Sequence, residues 1–93
     1  MNKQALFSHI LATVSSITDV STQRITGRAR DTESTDARYI VATLLHERGF
    51  YPTQIAQFLG RTPRSIRWLL SRPTSPMLLI YLSKARPATA TLA

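Results

Sequence analysis

Three prolines, Pro52, Pro63 and Pro76, rule out any long uninterrupted helix across the second half of the chain. Proline has no amide hydrogen, and its ring clashes with the carbonyl one turn earlier, so a helix accepts it readily in its first turn and only at a cost in its middle. Thr62 and Ser75 stand immediately before two of the three, as side chains whose oxygen caps a helix start. Pro52 therefore opens a helix that runs to about Leu59 and stops at Gly60. Pro63 opens a helix over 62–71, with Ile66, Leu69 and Leu70 facing in, and Pro73 stops it. Ser75 and Pro76 repeat the start signal. The run Met77 to Leu82 is apolar throughout and compatible with a buried strand, but the start signal and the scarcity of β-branched residues favour a helix.

The first half has the same grammar. Leu6, Phe7, Ile10, Leu11, Val14 and Ile17 make one helical stripe, with Asn2 as its cap. Ser21 caps a short helix from about Thr22 to Thr26, Val20 and Ile25 occupy the two positions of a hydrophobic staple, and Gly27 ends it. The stretch from Gly27 to Thr35 lacks apolar periodicity and reads as a loop. Ser34 or Thr35 caps the next helix, in which Ala37, Ile40, Val41, Leu44 and Leu45 form a core-facing pattern up to Arg48 and Gly49. The expected fold is all-α: a compact bundle of about six short helices that includes a helix-turn-helix. Residues 1–85 form one domain. Residues 86–93, rich in Pro, Ala and Thr, form a flexible tail.

Charge narrows the function. Twelve Lys plus Arg against five Asp plus Glu give a net charge of +7, and ten of the twelve are Arg. Such a chain attracts polyanions, and guanidinium forks suit phosphates and guanine edges. There is no Cys, which excludes disulfides and thiolate zinc sites. His9 and His46 lack metal-ligand spacing, and no Ser-His-carboxylate set is apparent. The expectation is a non-enzyme with no catalytic residue, cofactor or metal. No secretory signal precedes the first helix, and the longest apolar run is too short to cross a bilayer, so the expected location is cytoplasmic, with no membrane partner.

The function-bearing motif lies at the junction of the fourth and fifth helices. Ala56, Gly60 and Ile66 have the spacing of a bihelical DNA-binding unit: the small Ala lets the helices approach, Gly permits a left-handed turn, and Ile locks the second helix onto the first. Such a unit lays its second helix in the major groove and reads with its N-terminal residues, here Arg61, Thr62, Arg64, Ser65 and Arg67. An ordinary helical hairpin with a solvated face is the plainer alternative, and the cluster of three Arg argues against it.

The run Ala37-Arg38-Tyr39-Ile40-Val41-Ala42, then Leu44 and Glu47, then Gln54-Ile55-Ala56, then Gly60-Arg61-Thr62-Pro63-Arg64-Ser65-Ile66 resembles the C-terminal DNA-binding domain of the bacterial replication initiator DnaA. The resemblance covers roughly residues 10–71. It implies a Trp-repressor-like helical fold that reads double-stranded DNA in two places. By resemblance, Arg61, Arg64 and Ser65 are base readers or phosphate anchors. Arg28 or Arg30, in the basic loop 27–31, is an arm for the adjacent minor groove. Arg38 is a phosphate or groove contact beside it. The chain departs from the family signature at Thr62, Pro63 and Arg64, where the family has Asp, His and Thr. It also lacks one of two glycines, which implies a different target sequence. No Gly-rich phosphate loop with Lys is present, so the chain is not itself an initiator.

Several residues admit two readings. Trp68 is turned away from the core stripe, and either stacks on sugar-phosphate or a partner, or is covered by the sixth helix; the second reading is adopted. Phe50 and Tyr51 are expected to plug the core edge. Glu47 pairs loosely with a distant Arg, and Asp31, Glu33 and Asp36 either hold Arg30 or Arg38 or are merely solvated, the latter being favoured. The expected function is double-stranded DNA binding by a regulator of transcription or replication, or by a mobile-element accessory. Homodimerisation through the N-terminal or C-terminal helix is compatible with it. A protein-interaction module is the alternative. RNA binding ranks lower, because interleaved exposed aromatics are missing.

Overall fold

Asn2 caps the first helix, α1 (Lys3–Thr18), by accepting from the Ala5 amide at 2.7 Å in the computed structural model, which describes residues 2–90. Phe7, Ile10 and Val14 are its buried stripe. Ser21 caps α2 (Thr22–Thr26) through the Arg24 amide, and the stapled pair Val20 and Ile25 is buried. The turn between α1 and α2 passes through Asp19, which takes a left-handed conformation at φ 60°.

Helix α3 (Thr32–Glu47) begins earlier than its apolar pattern indicates. Its cap is Asp31, not Ser34 or Thr35: the Asp31 carboxylate accepts from the Ser34 amide at 3.0 Å and from the Ser34 hydroxyl at 3.1 Å. Asp31 thus serves as a cap, rather than as a solvated charge or a partner of Arg30 or Arg38. The first turn of α3 is polar because it abuts the loop. Periodicity sees only the buried part, from Ala37 onward.

Helix α4 (Pro52–Leu59) starts at the predicted proline, and the Gln54 side chain accepts from the Tyr51 amide at 2.9 Å. It ends at Gly60, whose φ of 65° is the left-handed conformation that L side chains avoid. Thr62 then caps α5 (Pro63–Ser71) by accepting from the Ser65 amide at 3.1 Å. Helix α6 (Pro76–Ala90) is a helix, not a strand, and Leu78 and Leu82 are its buried anchors.

Within the segment expected as a tail, residues 86–90 are helical. They continue α6 through Pro87, a proline in the helix interior that departs from the punctuation seen at the other helix starts, and residues 91–93 lie outside the described part. Thr89 is buried and its hydroxyl donates to the Ala85 carbonyl at 3.0 Å. Arg48 donates to the Thr89 carbonyl at 3.3 Å, and Arg86 forks onto both oxygens of Glu47 at 3.2 and 2.8 Å. These contacts with α3 order a segment whose composition alone suggests fraying. Glu47 has its distant Arg, and Arg86 is held above its ordinary pKa, chiefly by the hydrogen bond to that carboxylate.

Among the described residues the architecture is all-helical, with six helices and no strand. Helix α3 is the hub and packs against all five others; α1 also packs on α2 and α6, and α4 and α5 pack on each other. Ile10, Ile25, Ile40, Leu45, Ile55, Leu59, Ile66 and Leu82 are fully buried, and each contributes on the order of 1.5–3 kcal/mol by leaving water. Phe58 joins α4 to α1 by stacking on Phe7 at 4.9 Å. Phe50 is buried as expected. Tyr51 is not: it stands 70% exposed. The result is a body of 31 × 26 × 23 Å. No helix among the described residues is long and apolar enough to cross a membrane.

Candidate nucleic-acid interface

The tight connection between α4 and α5 sets the site. Once Gly60 turns left-handed, the Arg61 amide donates back to the Ala56 carbonyl at 2.9 Å, and the chain re-enters a helix at Pro63. Ile55, Ala56, Leu59, Ile66 and Leu69 bury the facing sides of the pair. The outer side of α5 is left to Arg64, Arg67 and Trp68, all exposed.

The loop 27–31 is built around Arg38. This side chain is buried, and it donates from Nε to the Ile25 carbonyl at 2.7 Å. Its Nη2 reaches the carbonyls of Arg24 at 2.9 Å, Ala29 at 3.0 Å and Gly27 at 3.5 Å. Burial holds its pKa below the ordinary arginine value; the charge of Arg61 acts in the same direction, and Asp31 opposes it. Nε and Nη2 are committed to the backbone that shapes the loop, and the side chain also lines the groove beside it.

Arg61 ties the loop to the helix pair. Its Nη2 donates to the Gly27 carbonyl at 2.5 Å. Gly27 also has no room for a side chain, since a Cβ there would lie 2.5 Å from the Gln23 carbonyl oxygen. Asp31, the acid inside the basic stretch, is occupied as a cap and paired with Arg24 at 2.5 Å. Its carboxyl is held below the usual range, first by the hydrogen bonds from Ser34 and then by Arg24.

Loop and helix share one groove of about 510 Å³, lined by Arg28, Arg30, Arg38, Arg61, Ser65 and Trp68 with Thr35 and Leu69. Of the eight residues singled out in the sequence, five (Arg28, Arg30, Arg38, Arg61 and Ser65) line it. Thr62 spends its hydroxyl as the helix cap, and Arg64 and Arg67 stand on the exposed side of α5. Among the described residues, the ion pairs are Arg24–Asp31, Arg72–Asp36 and Arg86–Glu47. They leave Arg28, Arg30, Arg64 and Arg67 without an acidic partner.

Trp68 corrects another expectation. It is 59% exposed and is not covered by α6. The Arg72 guanidinium lies over its ring at 5.5 Å, and that same guanidinium lies 5.8 Å from the Tyr39 ring and 3.1 Å from Asp36. Arg72 has no signal in the local sequence, because its partners Asp36 and Tyr39 are remote along the chain. Asp31 did leave one: an Asp three residues before Ser34, with Glu33 in the first turn, is a helix start.

Comparison with family models, with curated proteins and with solved structures found no match.

Proposed function

We propose that this chain is a double-stranded DNA-binding module built on a helix-turn-helix formed by α4 and α5, as the resemblance to the DnaA C-terminal domain implies. Helix α5 lies in the major groove and the loop 27–31 reaches the adjacent minor groove. The observation that carries this reading is the shared groove, which puts Arg28 and Arg30 on the same side of the molecule as Arg61 and Ser65. An α-helix with its side chains is about 10–12 Å across, which a groove about 12 Å wide admits. The module serves as a regulator of transcription or replication, or as a mobile-element accessory, and performs no catalysis. Anisotropy of labelled duplexes at low salt, after selection of bound sequences from a random pool, tests it. The triple variant Arg61→Ala/Arg64→Ala/Arg67→Ala loses binding; unchanged affinity in that variant overturns the reading.

A second reading, a protein-interaction module, is favoured by one feature of α6. Met77, Leu79 and Ile80 are 61%, 52% and 53% exposed, whereas the apolar stripe of α1 is buried against α3 and α6. If a homodimer forms, α6 and not α1 is the helix to carry it. Sedimentation equilibrium with Ile80→Glu decides this, because a dimer that survives the substitution excludes that face.

A further inference from the structure

Resting on the DNA-binding reading, we infer that Trp68 packs against the deoxyribose of the single backbone strand that separates the major groove from the minor groove. A helix in one groove and a loop in the next must straddle that strand, so the space between α5 and the loop is where it runs. A backbone strand presents two chemistries, anionic phosphates and the apolar faces of its sugars. The groove offers both in return: the guanidinium groups of Arg28, Arg30 and Arg61, the Ser65 hydroxyl, and the indole of Trp68.

The indole is set in place before any ligand arrives. Arg72 stacks over it, and Arg72 is itself fixed by Asp36 and by the Tyr39 ring. A ring positioned in advance loses little freedom on binding, so its contact is retained as affinity. Trp68 also shares the outer side of α5 with Arg64, one turn earlier. The sugar contact carries no sequence information, so it positions the module on any duplex.

Trp68 is the sole Trp of the chain, so its emission reports this contact without a label. Wild-type protein is titrated with a selected duplex and with a random-sequence duplex of equal length, and anisotropy is followed in parallel with indole emission. The emission change follows the anisotropy midpoint on both duplexes. Trp68→Ala weakens both by the same factor, about tenfold for loss of an aromatic contact, and Trp68→Phe restores part of it. Binding seen by anisotropy with unmoved emission overturns the inference. So does a loss confined to the selected duplex, which marks a base contact. Absence of any binding by the wild type overturns the DNA-binding reading as well, and is thereby told apart from a failure of Trp68 alone.

Discussion

Arg61 and Gly27, 34 residues apart in sequence, are joined by a hydrogen bond from the Arg61 guanidinium to the Gly27 carbonyl oxygen. It couples the turn between α4 and α5 to the start of the basic loop. The same carbonyl is approached by Arg38 from within, so the loop is held from both sides. Its arginines are thereby set relative to α5.

Gly27 is the weak point of that coupling. A Cβ at this position meets the Gln23 carbonyl oxygen, which is backbone and cannot swing away. Gly27→Ala is expected to cost about 1–3 kcal/mol of stability, as overpacking does. Duplex affinity should fall too, although no charge has changed. Thermal unfolding and anisotropy check the two effects together.

Arg38 and Arg64 separate structure from binding. Arg38→Met strands carbonyls that Arg38 now satisfies, and a loss of about 2–3 kcal/mol is expected in urea unfolding. Arg64 is exposed and outside every ion pair, so Arg64→Ala should alter stability by less than about 0.5 kcal/mol. On the duplex the same substitution should cost about 1–3 kcal/mol if Arg64 reads a base. Equal unfolding curves for the two variants would remove the distinction drawn between them.

The loop arginines have their own signature. Arg28 and Arg30 in a narrow minor groove favour A·T pairs, where the potential is most negative. Replacing A·T by G·C at that end of a selected site is expected to weaken the wild type and to leave an Arg28→Ala/Arg30→Ala variant indifferent. Competition binding with the two duplexes measures it.

Asp31 gives a pH dependence of known sign. Its folded pKa is lowered, first by the Ser34 hydrogen bonds, so its charged form is favoured in the native state. The stabilisation is complete above its unfolded value of about 3.9 and is lost as pH falls through the lower folded value. Asp31→Asn keeps a capping side chain but removes the charge. The wild type should melt above this variant at neutral pH, and the gap should close below about pH 4.

Truncation after Ala85 tests the end of α6. It removes Arg86 from Glu47 and Thr89 from its buried place. The melting temperature is expected to fall by about 4–8 °C for each 1 kcal/mol lost in a domain of this size. A flexible tail could be removed without any such change.

Helix punctuation was legible in the residues themselves. Asn2, Ser21 and Thr62 cap where their chemistry directs, Pro52, Pro63 and Pro76 each open a helix, and Gly60 takes the left-handed turn expected of it. These are interactions within one helical turn, and a short stretch of chain contains both partners. The apolar stripes likewise show which faces are buried. Four features escaped: the polar first turn of α3, the packed end of α6 and the exposure of Tyr51 and Trp68. The α3 start is written locally, in Asp31 and Ser34, and escapes because periodicity sees only apolar residues, whereas the end of α6 depends on Glu47 and Arg48, distant along the chain.

What the amino-acid order determined is a set of short helices, their inner faces and a surplus of arginine. Tertiary structure decided what each arginine does. Arg38 turns Nε and Nη2 onto backbone carbonyls, Arg61 bridges two segments, and Arg72 reaches Asp36 across 36 residues, whereas Arg28, Arg30, Arg64 and Arg67 have no acidic partner among the described residues. The reason is reach: a long flexible stem ending in five donors can satisfy itself on whatever oxygen the fold brings near, and local sequence does not encode which oxygen that is.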